Sequence, residues 1–490
     1  MRSRILSLFL FCLSAMLLQA QTDADIIRYA QTEINGTARA MGVGGAFGAI
    51  GADFTTASTN PAGIGVYRSR ELVLTPGMRF QSIDSDFNGN SQSQNSSRFN
   101  FSSAGVVFNV AEDLETNWEG FNVAIGLNRI ANLRRDFTST TTNPGSITTR
   151  FLDNANNGFF DRFETQLAFD AGIIFPNDPN VNNCPCSADA GPSDFTEKTI
   201  NFQSTGFIDE LVLSAAGNLN NKWFIGATLG FPITTYEQIY TYSERDPDGS
   251  IDFFNSLSYQ QQFETTGIGV NFKLGAIYRI DRVFRVGLAV HTPTSFSLTD
   301  DFQNRMDASI SFDNMTPTET AAESERGMFE YSARTPWRVI ASGAAVIRNV
   351  GFLTFDAEWV NYRASALVID SEDPGDVAFQ DDVNDQIDQK YNHALNLRIG
   401  AEYARKFFRA RAGYAFYGPP FRSGVTQNNQ LRQRLSGGLG VRFKDFFVDG
   451  AIVYTLEDSD FVAYTSSFDS PAVVNNRSEA YVVMTIGIKF

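Results

Sequence analysis

At the end of the chain Ala480, Val482, Met484, Ile486, Ile488 and Phe490 alternate with Tyr481, Val483, Thr485, Gly487 and Lys489. A period of two places each set on one face of a strand. The first face is wholly apolar. The same alternation runs backwards through Phe446 to Glu457, Leu431 to Phe443, Lys406 to Tyr417, Gln389 to Tyr403, Val350 to Val368 and Arg326 to Ile347. Further upstream it continues through Phe284 to Arg305, Ser256 to Ile280, Lys222 to Tyr242, Phe207 to Leu219, Glu119 to Leu133, Ser97 to Ala111 and Glu71 to Ser82. These ranges predict fourteen strands, an even number, as single-chain bacterial barrels require. Pro293 should kink the seventh, because it cannot donate to the ladder.

Connections after even-numbered strands are short, as at Asp281-Arg282, Arg348-Asn349, Arg405 and Lys444-Asp445, and those after odd-numbered strands are long and polar. A β-sandwich has no reason to sort its loops this way, whereas a transmembrane barrel has short periplasmic turns and long external loops. By length the chain would otherwise split into about three soluble domains, yet no linker separates them. The expectation is an all-β chain: a 14-stranded antiparallel transmembrane β-barrel over 71–490. The terminal Phe490 resembles the C-terminal assembly signal of outer-membrane barrels.

Residues 1–20 carry Arg2 and Arg4, an apolar run from Ile5 to Leu18, and Leu18-Gln19-Ala20, which reads as a secretory signal peptide cleaved before Gln21. Cys12 lies within that run and reads as part of it. Beyond it no apolar stretch is long enough for a membrane helix, so any crossing is made by strands. The net charge of −16 becomes more negative still without Arg2 and Arg4, which argues against nucleic acid as a partner. The 44 Phe suit lipid-facing bands and aromatic girdles, although an ordinary core would also use them. Cys184 and Cys186 are too few for a closed zinc site and suit a disulfide or neighbouring thiols in an exposed loop.

Residues 21–70 alternate poorly and are too rich in Gly and Ala to be wall. Ile26, Ile27, Ala30 and Ile34 fit a short amphipathic helix. A small-residue stretch from Ala38 to Ala49 follows, then Asn60-Pro61-Ala62-Gly63-Ile64-Gly65. No Lys-Ser/Thr pair accompanies the glycines, which argues against a phosphate-cradling loop. A compact plug inside the barrel accounts for them better, since Gly permits close approach. The Asn60, Pro61, Ala62, Gly63 sequence specifies a rigid turn, either a gate anchor or a plain lead into the first strand.

Here the chain resembles the FadL/TodX-type outer-membrane transporters of hydrophobic compounds, whose N-terminal hatch carries a small-residue stretch and an Asn-Pro-Ala-Gly motif. Thr335-Pro336-Trp337 and Asp356-Ala357-Glu358-Trp359-Val360-Asn361-Tyr362 are similar to strand segments of that family. The resemblance implies passive uptake of a hydrophobic small molecule or lipid such as a long-chain fatty acid. Loops collect it, the hatch rearranges, and the ligand leaves through an opening in the wall among outer-membrane lipids. Such uptake requires no nucleotide or energy-coupling partner, and the residues themselves lead to the expectation of no cofactor, no metal and no enzymatic activity. Some family members serve protein secretion, so the alternative is a barrel subunit of a larger outer-membrane assembly with protein partners.

With the apolar face outward, Arg398, Arg409, Arg411, Arg432, Arg434 and Arg442 point into the lumen beside Asp356 and Glu358. These charges either pair with one another and with Asp23, Asp25, Glu33 and Asp53, or offer a guanidinium to a ligand carboxylate. In the loop from Arg134 to Gly206, Phe159, Phe160, Phe163 and Leu167, with Phe169, Ile173, Ile174 and Phe175, suit a helix with a broad apolar side outside the wall. That side packs on other loops or captures ligand. The acidic run Asp376 to Asp388 reads as a solvated loop or a docking surface. His291 points inward and His393 sits near the outer start of the tenth strand. Neither has the surroundings of a haem ligand or a nucleophile's base.

Overall fold

The structure, a computed structural model, describes residues 22–112, 117–177, 185–311, 316–425 and 431–490. The signal-peptide reading and Cys184 therefore fall outside the described residues. Alternation in the sequence becomes a closed antiparallel wall of β1 (Glu71–Phe87), β2 (Asn90–Glu112), β3 (Trp118–Asn132), β4 (Phe195–Leu219), β5 (Trp223–Arg245) and β6 (Phe254–Arg279). It continues with β7 (Phe284–His291, resuming at Ser295–Ser311), β8 (Gly327–Arg334, resuming at Arg338–Ile347), β9 (Gly351–Asn361) and β10 (His393–Arg405). β11 (Phe408–Tyr417), β12 (Arg432–Arg442), β13 (Phe446–Val462) and β14 (Ala472–Lys489) complete it. Pairing of Glu71 with Lys489 and of Leu72 with Ile488 joins β14 to β1 and closes the barrel. Among the described residues the fourteen-stranded wall closes without a free edge.

Leu72 and Leu74 of β1, Leu435 and Leu439 of β12 and Val482 to Ile488 of β14 are exposed on the outside, while their alternating neighbours are buried inside. A soluble surface rarely presents so continuous an apolar band. Lipid is the solvent that fits it, and the chain is a transmembrane barrel. No helix among the described residues is long and apolar enough to cross a membrane.

Several boundaries depart from the sequence pattern. β4 begins twelve residues before Phe207 and β14 eight before Ala480, because a strand that rises beyond the bilayer keeps its hydrogen bonds without needing an apolar outer face. Much of the supposed loop from Arg134 to Gly206 is thus sheet, Arg135–Pro144 pairing with the outer part of β4. The tenth strand starts at His393, since Pro374–Lys390 is a helix, and the acidic run from Asp376 to Asp388 is neither strand nor loop. Pro293 does interrupt β7, and Pro336 does the same to β8.

The single amphipathic helix expected through Phe159 to Phe175 is not present. Thr148–Asn156 and Thr165–Asp170 are separate short helices. The Asp161 carboxylate accepts from the amides of Phe163, Glu164 and Thr165, which fixes a new helix start. Gly172 at φ +76° ends that helix.

Residues 23–67 are largely buried against inward-facing residues of the wall. α1 (Asp23–Ala30) buries Ile26, Ile27, Tyr29 and Ala30 among Phe296, Leu298, Tyr331 and Tyr391. α2 (Ala38–Met41) lies against β12 to β14, with the Ala38 amide donating to Thr485 Oγ1 at 2.7 Å. Phe54 is wholly buried, held against Gly105 of β2 and Gly126 of β3. After a 3-10 turn from Pro61 to Val66 the chain enters β1.

Candidate functional site: the lumen and its charged lining

The inward phase of the strands supplies the lining, and all six arginines singled out from the sequence follow it. Arg398 pairs closely with Glu358, which also accepts from Arg338 at 2.6 Å. Arg411, fully buried, bridges Glu402 and Asp449 at 2.7 Å each. Arg442 reaches Asp449 at 3.5 Å and Arg409 approaches Glu402 at 3.9 Å near the short-turn end. Arg432 and Arg434 both pair with Glu33, which follows α1, the first at 3.3 Å. Asp356 receives the amides of Phe47 and Gly48 at 3.0 and 3.1 Å. It therefore ties the N-terminal segment to β9.

The other acids expected to meet these arginines do not. Asp23 bonds Lys390 and Tyr391 at 2.7 and 3.0 Å, Asp25 pairs with Arg28, and Asp53 accepts from Thr37 within its own segment. Wall acids Glu402 and Asp449 take their place. Sequence reading also passed over Arg477 and Glu479, which pair with each other at 2.7 Å, and Arg79, which pairs with Glu479. Their signal was present: continuing the alternation of β14 upstream of Ala480 puts both 477 and 479 on the inward phase.

Burial alone would raise the Glu33 carboxyl. The surrounding guanidinium groups of Arg434, Arg432, Arg79 and Arg477 outweigh it and hold Glu33 well below the usual carboxylate range.

The Asn60-Pro61-Ala62-Gly63 turn sits against β5, β6 and β7. Asn60 Nδ2 donates to the Gly48 carbonyl at 2.6 Å, and its Oδ1 accepts from the Ala62 amide at 3.2 Å. A Cβ on Gly275 would lie 2.0 Å from that Oδ1, and one on Gly226 would lie 2.5 Å from the Pro61 carbonyl. The wall is thus cut away to admit the turn. His291 Nε2 lies 2.8 Å from the Thr59 carbonyl, whereas His393 is exposed at the start of β10.

Between α1 and the external loops lies a cavity of about 630 Å³. Its walls include Phe163, Tyr236, Tyr240, Phe263, Phe302 and Phe461, with Arg28, Arg432 and Arg477 among the aromatic rings. Arg28 stacks 3.9 Å above Tyr236 and pairs with Asp25 at 2.7 Å, yet its buried Nη1 has no hydrogen-bond partner. Of the four loop residues marked for ligand capture, Phe163 reaches this cavity, edge-on to Phe302 at 4.8 Å. Leu167 is buried in the loop core, Phe160 packs on Phe169, and Phe159 faces outward. A second cavity of about 320 Å³ lies where β3 bulges between Arg129 and Ala131, lined by Phe99, Arg129, Arg134 and Phe207.

No family model matches the sequence, and no curated protein matches it. Solved structures do. A FadL homologue of Pseudomonas aeruginosa superposes with a TM-score of 0.56 at 13% identity, over 94% of this chain and 99% of that one. The toluene transporter TbuX of Ralstonia pickettii gives 0.52 at 15%, again over 94% and 99%. The toluene transporter TodX of P. putida gives 0.53 at 12%, with the same coverage. The chain has the FadL-type barrel fold.

Proposed function

We propose that the chain is an outer-membrane channel for passive uptake of hydrophobic small molecules, long-chain amphiphiles such as fatty acids among them, with residues 22–70 as its hatch. The observation that carries this reading is the 630 Å³ cavity over α1, a volume typical of small-molecule sites. Its aromatic rings suit an alkyl or aryl body. The unpartnered Nη1 of Arg28 suits a carboxylate head, because a charge-assisted hydrogen bond would satisfy a buried donor. The cavity at the β3 bulge supplies an exit through the wall toward lipid. The Asn60 to Gly63 turn, wedged between wall glycines, anchors the hatch. Asp356, Glu358 and the six arginines hold the hatch and its surroundings in register.

Liposomes containing the protein should take up a fluorescent long-chain fatty acid faster than empty liposomes, with saturation, and toluene should compete. Uptake no faster than in empty liposomes would overturn the reading.

A further inference from the structure

Many of the lumen's charged side chains are paired among the described residues, and two that are not lie at the short-turn mouth. There β6 and β7 bring Arg279 and Arg285 directly opposite each other in the ladder. Both belong to the inward phase of their strands, so their side chains start about 5 Å apart on one face, where like charges destabilise a sheet. Neither makes an ion pair among the described residues. Asp281, in the connecting turn, instead uses its Oδ1 to accept from the Val283 and Phe284 amides at 2.7 Å each.

A third guanidinium joins them. Arg68, at the end of the N-terminal segment, donates to Asn221 Oδ1 at 2.5 Å. The Arg279 amide donates to the Lys222 carbonyl, one residue from Asn221. Arg279 Nε is buried without a hydrogen-bond partner. Arg285 spends one N–H on the Ile50 carbonyl at 2.9 Å. Arg279 stands opposite Arg285 in the ladder and beside Arg68 across the Asn221–Lys222 turn, and with its Nε unfilled and no carboxylate paired with any of the three among the described residues the group is shaped for an anion rather than for an internal salt bridge.

We propose that Arg68, Arg279 and Arg285 form a phosphate-binding site at the short-turn mouth of the barrel. Guanidinium forks match phosphate oxygens in geometry and charge. One dianion in the centre would neutralise the repulsion across the ladder and satisfy Arg279 Nε. The phosphate is either free or carried on a lipid headgroup that reaches the mouth. The site does not depend on what passes through the lumen.

The test uses the full mature chain in a neutral detergent. Thermal unfolding is followed with inorganic phosphate, or with short-chain phosphatidylglycerol below its micellar concentration, against chloride at matched ionic strength. The expected result is a saturable rise in Tm beyond the chloride control. It should be lost in Arg279→Gln and reduced in Arg68→Gln, which lies outside the wall strands and leaves folding intact. In chloride alone Arg279→Gln should melt no lower than the unaltered chain, because it removes one member of a repelling pair. A response to inorganic phosphate assigns the free anion, and a response to the lipid alone assigns the headgroup. No rise beyond chloride, or an equal rise in Arg279→Gln, overturns the proposal. So does a marked drop in the chloride Tm of Arg279→Gln, which would mean that the arginine serves packing.

Discussion

Glu33 is the acid on which the upper attachment of the N-terminal segment turns. Its carboxylate receives Arg432 at 3.3 Å, Arg434 more closely, and Asn35 Nδ2 at 3.2 Å. Neither arginine has another carboxylate partner among the described residues; their further bonds go to the Thr32 and Ile34 carbonyls at 3.4 Å. Glu33→Gln keeps the shape and one acceptor but strands two guanidinium groups. Breaking a buried pair costs about 3–5 kcal/mol, and Arg432 is partly solvated, so the lower end applies. At about 1.4 kcal/mol per decade, a loss of about 3 kcal/mol shifts the docked segment toward release by about a hundredfold. Amide hydrogen exchange reads this directly: protection over residues 22–36 should fall by about two orders of magnitude while the wall strands stay protected. Acid should not reproduce the effect at about pH 4. A carboxylate held below its ordinary value contributes stability above that value and loses it only as pH falls through the depressed one, and for Glu33 that lies well below the ordinary carboxylate range. Unchanged protection over 22–36 in Glu33→Gln, or loss of protection in the unaltered chain near pH 4, would refute the reasoning.

Gly275→Ala puts a methyl 2.0 Å from Asn60 Oδ1 and should cost about 1–3 kcal/mol by overpacking, seen as faster exchange at residues 59–63 with the barrel intact. Deleting 21–61 should leave a folded barrel whose conductance in a planar bilayer far exceeds that of the full chain; equal conductance would mean that the external loops close the lumen. Arg28→Ala should weaken binding of a long-chain fatty acid by about tenfold, within the worth of one charge-assisted hydrogen bond, and leave toluene binding unchanged. Leu435→Arg, on the outer face midway along β12, should lower the unfolding free energy in lipid by about 2–4 kcal/mol, whereas a water-facing site would tolerate it.

The wall was legible because in a barrel each residue's face follows from its parity, so the inward set of β14 could be read from Tyr481, Val483 and Thr485 without knowing any partner. Parity also sent all six chosen arginines inward. What parity cannot supply is the partner across the lumen. Glu33 and Arg434 are separated by most of the chain, and their meeting depends on the path of a segment with no period of two. The outer reaches of β4 and β14 were missed for a different reason: above the bilayer the outward face becomes polar and the alternation loses contrast. The helix Pro374–Lys390 did carry a local signal, Asp373 as cap, its carboxylate accepting from Gly375 at 2.8 Å, with Pro374 at the first helical position. Its charge hid that signal, since Val383 and Ile387 are its buried apolar pair.

Two kinds of attachment divide the N-terminal segment, and the division bears on how it could move. Its first part is held by carboxylates: Asp23 to Lys390, and Glu33 to Arg432 and Arg434. From Gly42 onward it also has charged ties, at Asp356, but it is wedged as well. A Cβ on Gly413 would lie 2.1 Å from the Gly44 amide, and one on Gly400 would lie 2.3 Å from the Val43 carbonyl. Charge contacts weaken when a partner charge is removed or a competing carboxylate arrives. Interdigitated backbone does not respond to charge, because what resists its withdrawal is the loss of close packing on both sides. A ligand carboxylate entering the cavity beside Arg28, Arg432 and Arg477 would therefore loosen residues 22–36 first and leave the glycine-wedged turn in place. On the proposed function, movement would begin at the end that faces the cavity.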